Sequence, residues 1–198
     1  LDALVPSAEG PEIEKALKQF EKRIKRVEGW RKRLEALLPA RDFAALLKDY
    51  QAMQWESNRL HAFSRLRFSA DTQDQAALAF LTQMDDRLAQ ARNRTLFLSL
   101  WWKTLDEKNA RRLMKVAGDL RYWLEDLRHF KPHTLSEPEE KVINLKNVTG
   151  VTALQTLYDS ITNKFVFTLE ANGEKKQLTK DGLAVYVRDP DPALREAA

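Results

Sequence analysis

The sequence has no cysteine. That excludes disulfides, thiolate catalysis, iron–sulfur clusters and Cys-ligated zinc from these 198 residues, and it fits a cytoplasmic setting. Glycine is scarce, with six residues, which argues against an all-β chain full of tight turns. Long apolar runs are missing too. The longest, Leu96 to Trp102, is interrupted by Ser99 and falls well short of the ~20 residues a membrane span needs. The first ten residues lack the basic start and apolar core of a signal peptide. Neither a Gly-x-Ser-x-Gly elbow nor a glycine-rich phosphate loop occurs.

What is present is an ordinary globular balance, 43% hydrophobic and 31% charged. A chain of this length makes one large domain or two small ones and can bury roughly 70% of its unfolded surface. The net charge is +4. Residues 12–35 hold nine Lys/Arg against five Asp/Glu, and the remainder is balanced, so the whole excess sits at one N-terminal helix. Mixed signs along that stretch suit a solvated face laced by ion pairs better than a phosphate-binding stripe, so nucleic acid is an unfavoured partner.

Hydrophobic periodicity predicts helix through most of residues 1–162. Ile13, Leu17, Phe20, Ile24 and Val27 are spaced four and three apart, one seam of a helix that Leu34, Leu37 and Leu38 continue until Pro39. A second helix is expected from Asp42 to Phe68, with Phe43, Leu46, Leu47, Tyr50, Met53, Leu60, Phe63 and Leu66 inward. A third, capped by Asp71 or Thr72, repeats Ala77, Leu81, Met84, Leu88, Ala91, Thr95, Leu98 and Trp102 at a 3.5-residue period. A fourth carries Leu113, Ala117, Leu120, Leu124 and Leu127 and ends near Pro132. Ser136-Glu137-Pro138-Glu139 reads as a capping box that starts a short helix. Thr149-Gly150 opens another, with Leu154, Leu157, Tyr158 and Ile161 inward.

The period then changes to two. A β-hairpin is expected at 164–178 around the turn pair Asn172-Gly173, followed by a short helix from Thr179. Asp191-Pro192 starts a last helix that stops after about two turns, too short to stand alone. With no initiating Met, this leads us to expect a natural polypeptide that continues. The expected fold is mainly α, a multi-helix array with long antiparallel helices and one small hairpin near the C-terminal end. A helical-hairpin region, 1–68, and a second region, 69–198, form one continuous lobe.

Chemistry-bearing constellations are few. None of His61, His129 and His133 is followed by Glu, so His-Glu-x-x-His is absent, and Lys131-Pro132 breaks any helix that would align His129 with His133. Adjacent carboxylates such as Asp85-Asp86 and Glu125-Asp126 point about 100° apart on a helix and read as solvated faces. Trp101, Trp102, Tyr122, Trp123 and Phe130 read as the thick part of a helical core or as a binding wall.

Residues Trp123 to Lys141 carry a more specific pattern. Pro132, His133, Leu135, Glu137, Glu139 and Glu140, with Ser136 between them, are followed by Thr149-Gly150 and Leu157-Tyr158 in order. This succession resembles the N-terminal region of the oligoendopeptidase F-like zinc metallopeptidases, the M3 family, and extends loosely over residues 60–198. The resemblance implies the non-catalytic lobe of a two-lobed helical enzyme that encloses a channel and admits short peptides. Zinc would belong to the catalytic C-terminal lobe of the same polypeptide, and no cofactor to this chain. Catalytic and metal-ligating residues are expected to be absent here, and the chain inactive by itself. The marked residues would serve structurally, and Trp101, Trp102 and Trp123 would be candidates for the channel wall. The alternative is a stand-alone helical interaction module that binds a partner helix or, weakly, nucleic acid.

Overall fold

The computed structural model describes residues 3–171 and 173–198. Helix α1, Pro11–Glu28, begins with Pro in its first turn and acidic Glu12 and Glu14 at its positive end. It buries Ile13, Ala16, Phe20, Ile24 and Val27, the expected seam. The helix ends there. Gly29, a short 3-10 turn at Arg31–Arg33 and extended Leu34 redirect the chain, leaving Leu37 exposed and Leu38 buried. The continuation to Pro39 is therefore corrected.

Helix α2, Ala40–Ala70, and helix α3, Gln75–Thr104, are the long antiparallel pair on which α1 packs. Every residue of the 3.5-residue repeat in α3, from Ala77 to Trp102, is buried. The N-cap of α3 is Asp74 rather than Asp71 or Thr72, because its carboxylate accepts the backbone N–H groups of Ala76 and Ala77. Leu66, expected inward on α2, is exposed. Polar groups knit this core as well. Arg94 of α3 bonds Glu28 at 2.6 Å and Glu21 at 2.8 Å on α1. Buried Glu56 pairs with Arg59 one turn along α2.

The expected fourth helix is broken. Helix α4, Glu107–Met114, stops at Lys115, and Gly118 takes φ +54° before a 3-10 turn leads into α5, Arg121–His129. Glycine alone takes that left-handed conformation at little cost, so the chain bends there. A 3-10 turn at Lys131–His133 precedes α6, Glu137–Asn147. A π-helical turn at Val148–Thr152 joins α6 to α7, Ala153–Thr162, so Thr149-Gly150 lies inside helical backbone and opens no new helix.

Strands β1, Phe167–Ala171, and β2, Glu174–Leu178, pair antiparallel with Phe167 opposite Leu178 and Leu169 opposite Lys176. The hairpin is shorter than 164–178, since Lys164 and Phe165 are still turned back by backbone bonds to Ile161 and Thr162. Gly173 holds φ +79° at the turn, while Asn172 lies outside the described residues. Helices α8, Lys180–Tyr186, and α9, Pro192–Ala197, cover the sheet, burying Leu169 and Ala171. The architecture is mainly α with one small antiparallel hairpin, as expected. No helix among the described residues is long and apolar enough to cross a membrane.

Candidate functional surface

The marked segment does local structural work. Glu139, at the third position of α6, accepts the Ser136 backbone N–H at 2.9 Å while the Ser136 side chain faces the Glu139 backbone N–H, so the capping box forms, and the Ser136 hydroxyl also donates to the Glu139 carboxylate at 2.6 Å. Glu140 accepts the Leu135 backbone N–H at 3.1 Å. Glu137 accepts from Lys141 on its own helix at 2.7 Å and from Arg31 at 2.8 Å, which pins the start of α6 to the turn after α1. These bonds hold the Glu137 and Glu139 carboxyls below the ordinary range, Glu137 first through Lys141 and Glu139 through Ser136. Neither is poised to give up a proton near neutral pH. Pro132 and His133 form the 3-10 turn, and Leu135 is exposed.

The aromatic residues divide. Trp102 is 1% exposed, stacks on Phe43 at 5.3 Å and donates its indole N–H to the Leu124 carbonyl at 2.8 Å. It belongs to the core, continuous with Trp101, whose ring meets Phe43 at 6.1 Å. Trp123 is half-buried and stacks on Tyr50 at 5.3 Å. Burial pushes the Tyr50 hydroxyl up to about 12. The two rings line a 240 Å³ recess among α1, α2, α3 and α5 that Asn144 of α6 also borders. Tyr122 and Phe130 face solvent.

Among the described residues, no three His, Asp or Glu side chains converge on a point that could hold a metal ion. His61 lies 3.8 Å from Asp85, and His129 lies 3.9 Å from Asp126. Asp85 is not on a solvated face: its side chain is 13% exposed, and burial raises its pKa against the pull of His61 and Arg65. Basic residues of α1 and the following turn are laced as anticipated, through Lys18–Glu14, Lys25–Glu21, Arg26–Asp49 and Arg33–Asp42.

The most informative surface is the one that the periodicity placed on the wrong side. Leu154, Leu157, Tyr158 and Ile161 were expected inward; they are 66%, 54%, 55% and 49% exposed. Val142, Ile143, Leu145, Val151 and Phe165 are exposed as well. Half-buried positions on α6–α7 instead include Lys141, Asn144, Val148, Thr152, Thr156 and Asp159, spaced three and four apart, with Ser160 beside the last. Apart from Val148 this inner face is polar, and several of its side chains are hydrogen-bonded. The Asn144 amide donates to Asn93 of α3 at 2.9 Å, Arg65 of α2 donates to Asp159 at 2.9 Å, and Thr156 and Ser160 donate to carbonyls one turn back. The helix pair is attached to the body by its hydrophilic side and presents its apolar side outward. Apolar periodicity locates a stripe but not what covers it, so the sequence reading chose the wrong partner for this one.

Residues 101–167 match the model of the peptidase M3 N-terminal family, oligopeptidase F. The match takes in α4 to α7 and nearly all of the marked pattern, a narrower span than the 60–198 of the sequence resemblance. No curated protein matches the chain significantly. Among solved structures, a chain from Chlamydophila abortus provisionally named a peptidase aligns with 91% of this chain at 16% identity and a TM-score of 0.45. The present chain spans 32% of the length of that one.

Proposed function

We propose that these residues form the non-catalytic N-terminal lobe of a zinc-dependent oligopeptidase, which walls a substrate channel and limits access to short peptides. The observation that supports this most is the outward apolar stripe of α6–α7. It coincides with the segment that matches the oligopeptidase F model. Contiguous exposed apolar surface of this kind marks an interaction site, and the catalytic region of the same polypeptide is the partner that the family match supplies. Under this reading, zinc and its ligands would reside in that region. A cytoplasmic setting, where short peptides are degraded, suits the cysteine-free composition.

The test is a peptidase assay on the polypeptide encoded by the whole gene, beside residues 1–198 alone. The full polypeptide should cleave a fluorogenic peptide of about eight residues, spare the same sequence within a folded protein, and lose activity to a zinc chelator. Residues 1–198 should be inactive. A full polypeptide without peptidase activity, or activity from residues 1–198, would overturn the proposal. In the first case the stripe would be the docking face of an interaction module.

A further inference from the structure

The bend at Gly118 creates a second feature that the family reading does not use. In an unbroken helix from Glu107 to Lys131, the cationic side chains would spread along about 36 Å. With the helix broken, α4 and α5 face each other across an open groove of about 630 Å³, within the usual range of ligand sites. Arg111, Lys115, Arg121, Arg128 and Lys131 line it, against the two carboxylates Glu107 and Glu125.

Both acids are already engaged. Glu107 accepts from Arg128 at 2.6 Å, and Glu125 from Arg121 at 2.9 Å. Among the described residues, Lys115 and Lys131 have no ion-pair partner, and Arg111 reaches Glu107 only at 3.8 Å. The floor is apolar, made of buried Ala110 and half-buried Met114.

The walls are held in place before any ligand arrives. Arg128, its side chain 11% exposed, also donates to the Trp102 carbonyl at 2.9 Å, tying α5 to α3. Arg112 anchors α4 by donating to the carbonyls of Leu38 at 3.0 Å and Ala36 at 3.2 Å. A preformed site loses less ordering entropy on binding.

We propose that the α4–α5 groove binds a short acidic peptide, its carboxylates on Lys115, Lys131 and Arg111 and an apolar side chain on Met114. Two unpaired lysines and a loosely paired arginine beside an apolar floor suit this chemistry. Nucleic acid suits it less. No Phe, Tyr or Trp ring lines the groove to stack a base, and the cations close on a single cavity instead of tracking a backbone.

The test is fluorescence anisotropy with the whole protein and a labelled peptide Asp-Glu-Leu-Glu-Asp, with EDTA present to stop any metal-dependent cleavage. The acidic peptide should bind at least fivefold more tightly than Asn-Gln-Leu-Gln-Asn. The double variant Lys115→Glu with Lys131→Glu should weaken it about tenfold. The same reversal at Lys15 and Lys22, exposed on α1, should leave it within twofold. Lys115 and Lys131 are exposed, so an unchanged circular dichroism melt will separate lost binding from lost folding. Equal binding of the two peptides, no binding at millimolar concentration, indifference to the groove variant, or tighter binding of a single-stranded oligonucleotide through the same lysines would overturn the proposal.

Discussion

Helix α3 and the α6–α7 pair carry apolar stripes of similar regularity, yet one is buried and the other faces outward. In α3, every position from Ala77 to Trp102 on the stripe is covered by neighbouring elements. In α6–α7, the body receives Asn144, Thr156 and Asp159, and Leu154 and Leu157 stay exposed. The difference teaches that a stripe marks an apolar face, while polar bonding on the opposite face reports which side packs on the body. The first region is covered within these residues. The second leaves its apolar face exposed, as the proposed docking requires.

The largest effect that would break this contrast is in the core. Trp102→Ala removes a fully buried ring and its bond to Leu124, and should cost about 3–5 kcal/mol in chemical denaturation. Arg94→Met comes next. It leaves Glu21 and Glu28 without their shared partner across α1 and α3 and should cost about 1–2 kcal/mol. This variant also changes the pH profile. The Glu21 carboxyl lies below its ordinary 4.5, chiefly through the bond from Arg94. Its contribution is therefore complete above the unfolded value and lost as pH falls through the lowered folded one. Arg94→Met should flatten the stability curve in that acidic window, and an unaltered acid limb would remove Glu21 from the account.

Gly118→Ala sharpens the comparison at the bend between the regions. A Cβ there meets nothing within 4 Å, so the cost is the backbone's alone, about 1 kcal/mol for φ +54°. Ser136→Ala removes one half of the capping box and should destabilise by about 0.5–1 kcal/mol. Smallest of all, Leu157→Ala should shift the stability of residues 1–198 by less than about 0.5 kcal/mol, because more than half of its surface is already exposed. A cost of 2 kcal/mol there would mean that the stripe packs inward.

Much of the fold was legible because local signals and tertiary packing agreed. The seams of α1 and α3, the box at Ser136, the N-caps at Thr179 and Asp191 and the change of period at the hairpin are each set by nearby residues. Beyond shifts of caps and boundaries, three larger features were not legible. Leu34 and Leu37 keep the phase of α1 although the chain has already turned at Gly29. Leu113 to Leu127 keep a helical period across Gly118, which bends the chain without disturbing the spacing. Leu154 to Ile161 form a stripe that stays exposed, although its spacing matches that of a buried one. The candidate surface followed from that last mismatch. The groove between α4 and α5 followed from the second, since its two walls become neighbours only because the chain turns between Lys115 and Leu120.

The central claim is that the α6–α7 stripe is open in residues 1–198 and covered in the complete polypeptide. The absence of cysteine makes a direct measurement clean: Leu154→Cys, Leu157→Cys and Leu98→Cys each introduce a single thiol into these residues. Maleimide labelling, read by mass spectrometry, should be fast at 154 and 157 and slow at 98 in residues 1–198. In the full polypeptide, labelling at 154 and 157 should slow at least tenfold. Slow labelling at 154 and 157 in residues 1–198, or unchanged fast labelling in the full polypeptide, would contradict it.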